Sequence, residues 1–386
     1  MKIVDDLHKE FNGFFKVWTG FEPIVFISKP EAAEVIFKSS TNIDRSFDYK
    51  FLIPWLGTGL LTSTETAMGV SVNAQHGTSE YMKAVKEISR TILKRDMNTW
   101  WWYDTVHYFS SNYTDQQKAL KIVHGFTNSV IERRKLERVN KISDSKNDTA
   151  AYGEKQKKAF LDLLLDMAEE SSKPFTTADI REEVDTFMFA GHDSSSSATA
   201  YAVFLLGGHP EIQEKVFQEL YSVFGSSDRF PTKADISQLT YLECVTRESL
   251  RLYPVVPVIG RILVEDTELD GYLIPAGTNI DINISAIHRN ANHFPEPNKF
   301  NPDNFSPENR AKRHPFAFVP FSAGVRNCIG RKFASDEEMI LLSTLFRKYK
   351  VESLQKPEEL QVEPDLVMRP KNGIKVRISR RLYPSD

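Results

Sequence analysis

A mainly α fold with a small β portion is what this sequence predicts, and three textures lead there. Residues 79–135 and two later segments carry apolar residues at helical spacing. After Pro254 the pattern changes to short runs of alternating residues bounded by Pro, Gly and Asn, which read as strands and turns. No repeat interrupts the 386 residues, so the elements are expected to fold as a single domain, 1–386.

The elements follow in order. Pro23-Ile24-Val25-Phe26-Ile27 reads as a strand, and Pro30–Lys38 as a helix opened by proline in its first turn. Residues 79–135 are mainly helical around a Trp100-Trp101-Trp102-Tyr103 cluster, and the polar stretch Leu136–Lys158 reads as a flexible linker with little to bury. A long helix is expected from about Asp179 to Leu206. Thr176 and Asp179 form its capping box, and Ile180, Val184, Phe187 and Met188 share one face. Leu239–Leu252 is a second helix, stopped by Pro254. Strands are expected at Arg261–Val264, Leu269–Ile274, Asn279–Ile282 and Gly373–Arg380, with an irregular Phe294–Pro307 between them.

Composition excludes several classes. A formal net charge of −3 gives no positive field for a nucleic-acid partner. Two cysteines, Cys244 and Cys328, supply neither a disulfide framework nor a zinc pattern. The N-terminus MKIVDDLHKEFNGFFKVWTG breaks into charges too often to span a bilayer, so the chain as written reads as soluble or peripherally attached.

The strongest chemical signal is Phe321-Ser322-Ala323-Gly324-Val325-Arg326-Asn327-Cys328-Ile329-Gly330. A lone cysteine is usually a buried structural thiol. This one sits in a spaced set in which each element has a physical job if a heme lies against it. Cys328 would then offer sulfur to the iron, and the helix-like run after Gly330 would bring N–H groups toward that sulfur. Gly324 and Gly330 allow tight turns and a close backbone approach, and Arg326 is placed to pair with a heme propionate.

Phe321-x-x-Gly324-x-Arg326-x-Cys328-x-Gly330 resembles the heme-binding signature of the cytochrome P-450 superfamily. The run FSAGVRNCIGRKFA, preceded by His314–Pro320, most resembles family four, the microsomal fatty-acid hydroxylases. The likeness extends from about residue 15 onward. It is strongest to subfamily V at Phe51–Gly57 and Ile180–Phe189.

The resemblance gives meaning to two other groups. Glu248-Ser249-Leu250-Arg251, by itself an ordinary i, i+3 ion pair, resembles the Glu-x-x-Arg pair that shapes the heme-side core. Its third partner lies in Pro302-Asp303-Asn304-Phe305, where Asp303 and Asn304 replace the usual Glu and Arg, so a backbone or water contact is expected instead. Ala190-Gly191-His192-Asp193-Ser194-Ser195 puts poor helix formers inside a well-patterned helix. It resembles the oxygen-activating groove, with Asp193 and Ser194 as the proton-relaying acid and alcohol. Ala190 occupies the place of a glutamate that esterifies heme in many members, so noncovalent heme b is expected apart from the Cys328–iron bond. Arg261 matches a propionate-binding arginine. Val256, Val258 and Ile259 are expected on the substrate side, and His288 and Arg289 in a structural role.

Two features depart from the family. It begins with a membrane helix and a proline-rich hinge, which this sequence does not show. Leu60-Leu61-Thr62-Ser63-Thr64 runs directly into Glu65-Thr66-Ala67-Met68-Gly69, where the family has several tens of residues, including a helix with Trp-x-x-x-Arg that contacts a propionate. An internal deletion at the 64/65 junction is therefore expected. The resemblance implies a heme-thiolate monooxygenase on the cytosolic face of the endoplasmic reticulum membrane. It would take electrons from NADPH through a flavoprotein reductase and use O2 to hydroxylate a fatty acid near its terminal carbon. Arg331 and Lys332 are expected to face the reductase. A heme-binding but catalytically impaired form and an electron-independent lipid isomerase are the alternatives; Asp193 and Ser194 argue against the second.

Overall fold

The computed structural model describes residues 2–20, 22–58, 60–61, 79–145, 160–170, 176–363 and 365–381. The 64/65 junction lies outside them. The elements fall into two compact units, residues 47–192 and residues 1–46 with 193–386.

After a short helix at Lys2–Glu10, the chain runs through β1 (Phe14–Thr19), β2 (Glu22–Ile27) and the helix labelled α1 (Pro30–Lys38). Pro30 sits in the first turn of α1, and the buried face Ala32, Ala33, Ile36 and Phe37 lies at helical spacing. The unit of residues 47–192 holds α2 (Ser79–Asp96), α3 (Ser111–Ser145) and α4 (Phe160–Glu170).

Helix α3 corrects the linker expected from Leu136. Backbone helix continues to Ser145, and residues 146–158 lie outside the described part. Charge pairing supports this polar stretch. Arg134 grips Asp162 of α4 through two nitrogens, at 2.7 and 2.6 Å, and Arg138 reaches Asp166 at 2.6 Å. Paired guanidinium–carboxylate contacts at this geometry are the stronger kind of ion pair.

α5 (Thr177–Gly208) is the long helix, 32 residues. Its capping box forms: Asp179 N–H donates to Thr176 Oγ1 at 3.2 Å, and Thr176 N–H donates to Asp179 Oδ2 at 2.7 Å. Ile180 and Val184 are buried with Ile131, Phe160, Leu164 and Leu165, and Phe187 and Met188 pack beside them. The expected face is the one that packs.

In the other unit, α6 (Pro210–Phe224) is followed by α7 (Thr240–Leu252). The α7 N-cap residue Leu239 offers no side-chain bond. Glu219 of α6 does this work from outside, accepting from the N–H groups of Tyr241 and Leu242 at 2.6 and 2.9 Å. A carboxylate at a helix N-terminus satisfies orphan donors and suits the dipole.

β3 (Val258–Ile262) and β6 (Asn279–Asn283) complete a four-stranded sheet ordered β1-β2-β6-β3. β2 and β6 pair in parallel, with Ile24 opposite Asn279 and Ile27 opposite Ile282. Between β3 and β6, the expected strand Leu269–Ile274 is in fact a hairpin. β4 (Thr267–Leu269) and β5 (Tyr272–Ile274) turn at Asp270-Gly271, both at positive φ, which an Asp-Gly pair tolerates. Ile259 packs into the sheet core with Val25, Ile280 and Ile282, and Val256 packs against it.

The chain ends with α8 (Arg331–Lys348), β7 (Tyr349–Ser353), β8 (Val362–Glu363), β9 (Arg369–Pro370) and β10 (Val376–Arg380). β7 pairs with β10, and β8 with β9. α8 joins α5, α6 and α7 around a core that includes Leu206, Val216, Leu242, Leu342 and Phe346.

Candidate functional site

The cysteine loop is folded by its own backbone. Cys328 N–H donates to Phe321 carbonyl at 2.9 Å, closing the loop, and Asn327 N–H donates to Gly324 carbonyl at 3.3 Å. Gly324 has φ +72, and a Cβ there would lie 1.8 Å from the Phe37 carbonyl oxygen. Only glycine fits that approach of loop to α1. Gly330 is the N-cap of α8. The first N–H groups of that helix, those of Gly330 and Arg331, therefore point at the sulfur.

Cys328 is an exposed residue, yet protein atoms crowd its sulfur enough that burial pushes the thiol above its ordinary range. The Gly330 and Arg331 N–H groups and the charges of Arg331 and Arg45 act in the opposite direction, favouring thiolate. Arg45 was not legible in the sequence: it lies in Ile43-Asp44-Arg45-Ser46, which carries no motif. The chain brings it in by fastening this strap to β3, with Ile262 N–H donating to Asp44 carbonyl at 3.2 Å.

Arg261 and Arg326 are both buried, at 2% and 7% exposure. They line one small cavity of about 10 Å³ with Ile36, Phe37, Ala323 and Val325. Two buried guanidiniums on one cavity wall suit the carboxylates of a heme rim. With a cysteine sulfur fed by two backbone N–H groups, the donor set fits a heme.

The Glu248–Arg251 group is buried completely. Arg251 Nε and Nη2 hold both Glu248 oxygens at 2.7 Å, while Nη1 and Nη2 donate to the carbonyls of His288, Pro297 and Lys299. The third partner is Asn304, whose amide donates to Glu248 Oε1 at 3.1 Å beside Asn301 N–H at 2.9 Å. The expected backbone contact is thus present, joined by a side chain. His288 is fully buried, and burial with Arg251 and Arg289 nearby lowers it to about 3. It is neutral and accepts from Val319 N–H at 2.9 Å, which ties this core to the residues ahead of the cysteine loop.

On α5, Ala190, Gly191 and His192 are exposed, Asp193 is buried, and Ser194 is half-buried. Asp193 is paired with Arg369 of β9, a partner the sequence did not suggest. Arg331 and Lys332 are exposed at the start of α8.

Fold and loop together define a class in which a cysteine thiolate meets a heme, and comparison with known proteins bears this out. The cytochrome P450 family model matches residues 61–377. The chain belongs to the cytochrome P450 family, within its family four, and is a heme-thiolate monooxygenase. It is 41% identical to cytochrome P450 4V2 of Rattus norvegicus over 435 residues, covering 95% of this chain and 82% of the relative. Cytochrome P450 4c3 of Drosophila melanogaster is 40% identical over 440 residues, with 96% and 82% covered. A crystal structure of a cytochrome P450, CYP102L1, superimposes with a TM-score of 0.78 at 20% identity, covering 98% of this chain and 97% of the other. Both matched sequence spans exceed the 386 residues of the whole chain, so the relatives carry internal residues that this one lacks. Among the described residues, no helix is long and apolar enough to cross a membrane.

Proposed function

We propose that this chain hydroxylates a lipid, a fatty acid at or near its terminal carbon, using O2 and electrons passed from NADPH by a flavoprotein reductase. The observation that carries the reading is the Cys328 loop, whose sulfur sits at the N-terminus of α8, together with buried Arg261 and Arg326 on the wall of one small cavity. In this reading Cys328 binds heme iron as thiolate, and Arg326 and Arg261 hold the propionates. Phe321, Gly324 and Gly330 shape the loop, and Glu248 with Arg251 fixes the core behind it. Ala190 has no carboxylate to esterify, so the heme is held without an ester link.

When bound, the heme supplies the center at which O2 is reduced and one oxygen atom enters a C–H bond. Asp193 and Ser194 hold and pass the protons that the reduction consumes. A hydroxyl on a half-buried helical turn donates one proton and accepts another, and a neighbouring carboxyl reloads it. Arg331 and Lys332, exposed beside the loop, offer charge to an acidic reductase face. The fatty-acid substrate and a location at the cytosolic face of the endoplasmic reticulum membrane follow from likeness to family four.

The test is the reduced carbon-monoxide difference spectrum of the chain expressed with heme supply. A strongly red-shifted Soret band, abolished in Cys328→Ser, supports the reading. An unshifted band, or no heme uptake, sinks it.

The internal residues present in the relatives favour a second reading: a single P450 domain with a deletion at 64/65 that binds heme without turnover. A shifted band with no NADPH-dependent product from dodecanoate would select it.

A further inference from the structure

Residues 288–301 form neither helix nor strand, so their carbonyls need partners from elsewhere. Two guanidiniums meet them. Arg251 takes the carbonyls of His288, Pro297 and Lys299. Arg313 takes one inside the stretch and one just past it: Nε donates to His293 carbonyl at 3.2 Å, and Nη2 to Asn304 carbonyl at 2.5 Å. Both cations also lie over one fully buried ring, Phe294, with Arg251 at 4.8 Å and Arg313 at 4.1 Å from its centroid.

The position is a costly one for arginine. Arg313 is half-buried, and its partners are two carbonyls and the rings of Phe294 and Phe305, the second 5.1 Å away, rather than a carboxylate. Burial pulls the guanidinium down to about 10; the Glu248 charge acts the other way, and Arg251 and Arg310 add to the loss. Glu248 stands at one remove. Asn304 donates its side-chain amide to Glu248 Oε1 at 3.1 Å while its carbonyl accepts from Arg313. Arg313 also opens the segment that leads into the cysteine loop. Phe305 packs on Phe318 at 4.5 Å, and Phe318 on His288 at 4.9 Å. His288 in turn accepts from Val319 N–H, two residues ahead of Phe321.

We infer that Arg313 is a positioning residue for Cys328: it supplies a cation to Glu248 through Asn304, where the family pattern has arginine, and so seats residues 313–319 on the Glu248–Arg251 core. The inference rests on the reading of Cys328 as the heme ligand. An arginine at 304 would set its charge directly on the carboxylate, whereas asparagine offers an amide alone. Arg313 returns that charge from nine residues further along the chain, and its two carbonyl bonds and two ring contacts fix where the segment lies.

The test is the reduced carbon-monoxide difference spectrum of the heme-loaded chain, with heat denaturation of the same proteins. Arg313→Gln keeps a donor and removes the charge. It is expected to move most of the red-shifted Soret band to the unshifted position and to lower the melting temperature by roughly 3–6 °C. Two cations should restore both readouts in part. Arg313→Lys keeps the charge without the fork, and Asn304→Arg added to Arg313→Gln places it directly on Glu248. Recovery by either supports the inference. Parent-like behaviour of Arg313→Gln overturns it, and so does a loss that neither cation restores. No heme uptake by the parent sinks the reading of Cys328 instead, and the melting temperatures then decide the inference by the same criteria.

Discussion

Two buried arginines in this protein meet carboxylates in opposite styles. Arg251 spends its donors on Glu248 and on three backbone carbonyls drawn from 288–299, and Glu248 collects further donors from Asn301 and Asn304. Arg369 makes its bond to Asp193 and stops short of Asp365. The residue types are the same, and the difference lies in how fully the surroundings determine them. A satisfied network has one arrangement and fixes a core. An arginine bonded to one carboxylate and 4.0 Å from the next is held by fewer contacts.

The largest effect should come from breaking the satisfied network. Arg251→Gln strands Glu248 in a fully buried site and should cost about 3–5 kcal/mol. Urea unfolding checks this, and Arg251→Lys should recover little because a point charge cannot span both oxygens. Arg369→Gln should cost less, about 1.5–3 kcal/mol, the scale of a charged hydrogen bond. Equal losses at the two arginines would erase the distinction. Asn304→Ala sharpens it from the network's edge. Glu248 keeps Arg251 and Asn301, so a loss of about 1 kcal/mol is expected in the same assay.

The smallest effect is one of slope. Glu338 of α8 is buried, and burial raises its carboxyl to about 8. Between its ordinary value of 4.5 and about 8, the folded chain keeps a proton that the unfolded chain has released. Stability should therefore fall as pH rises across that window. Glu338→Gln should flatten that part of the melting-temperature profile; an unchanged profile would contradict it.

Much of this was readable from local chemistry. Pro30 and the apolar face behind it set helix α1, and Thr176 with Asp179 set the start of α5, because caps and periodicity act within a few residues. The spacing around Cys328 gave its loop for the same reason. What escaped was non-local. Residues after Leu136 read as linker because charges suggest solvent, while Arg138 in fact pairs across to α4. The Asp270-Gly271 turn was hidden inside an apolar run whose ends drew the eye. The Glu219 cap on α7 and the Arg369 contact with Asp193 join residues far apart in sequence, and no pattern in either segment announces the other.

The parallel pairing of β2 with β6 sets a schedule for the chain's birth. Ile24–Ile27 finds its partner at Asn279–Ile282, about 250 residues later, which at roughly 5–20 residues per second takes some tens of seconds to emerge. Through that interval the β1–β2 hairpin waits with an open edge, and an open edge invites other chains. The step that closes the sheet is then a late, long-range one, slowed by the entropy of a very large loop. Nascent chains stalled before residue 279 should be the ones that chaperones hold and that aggregate when released.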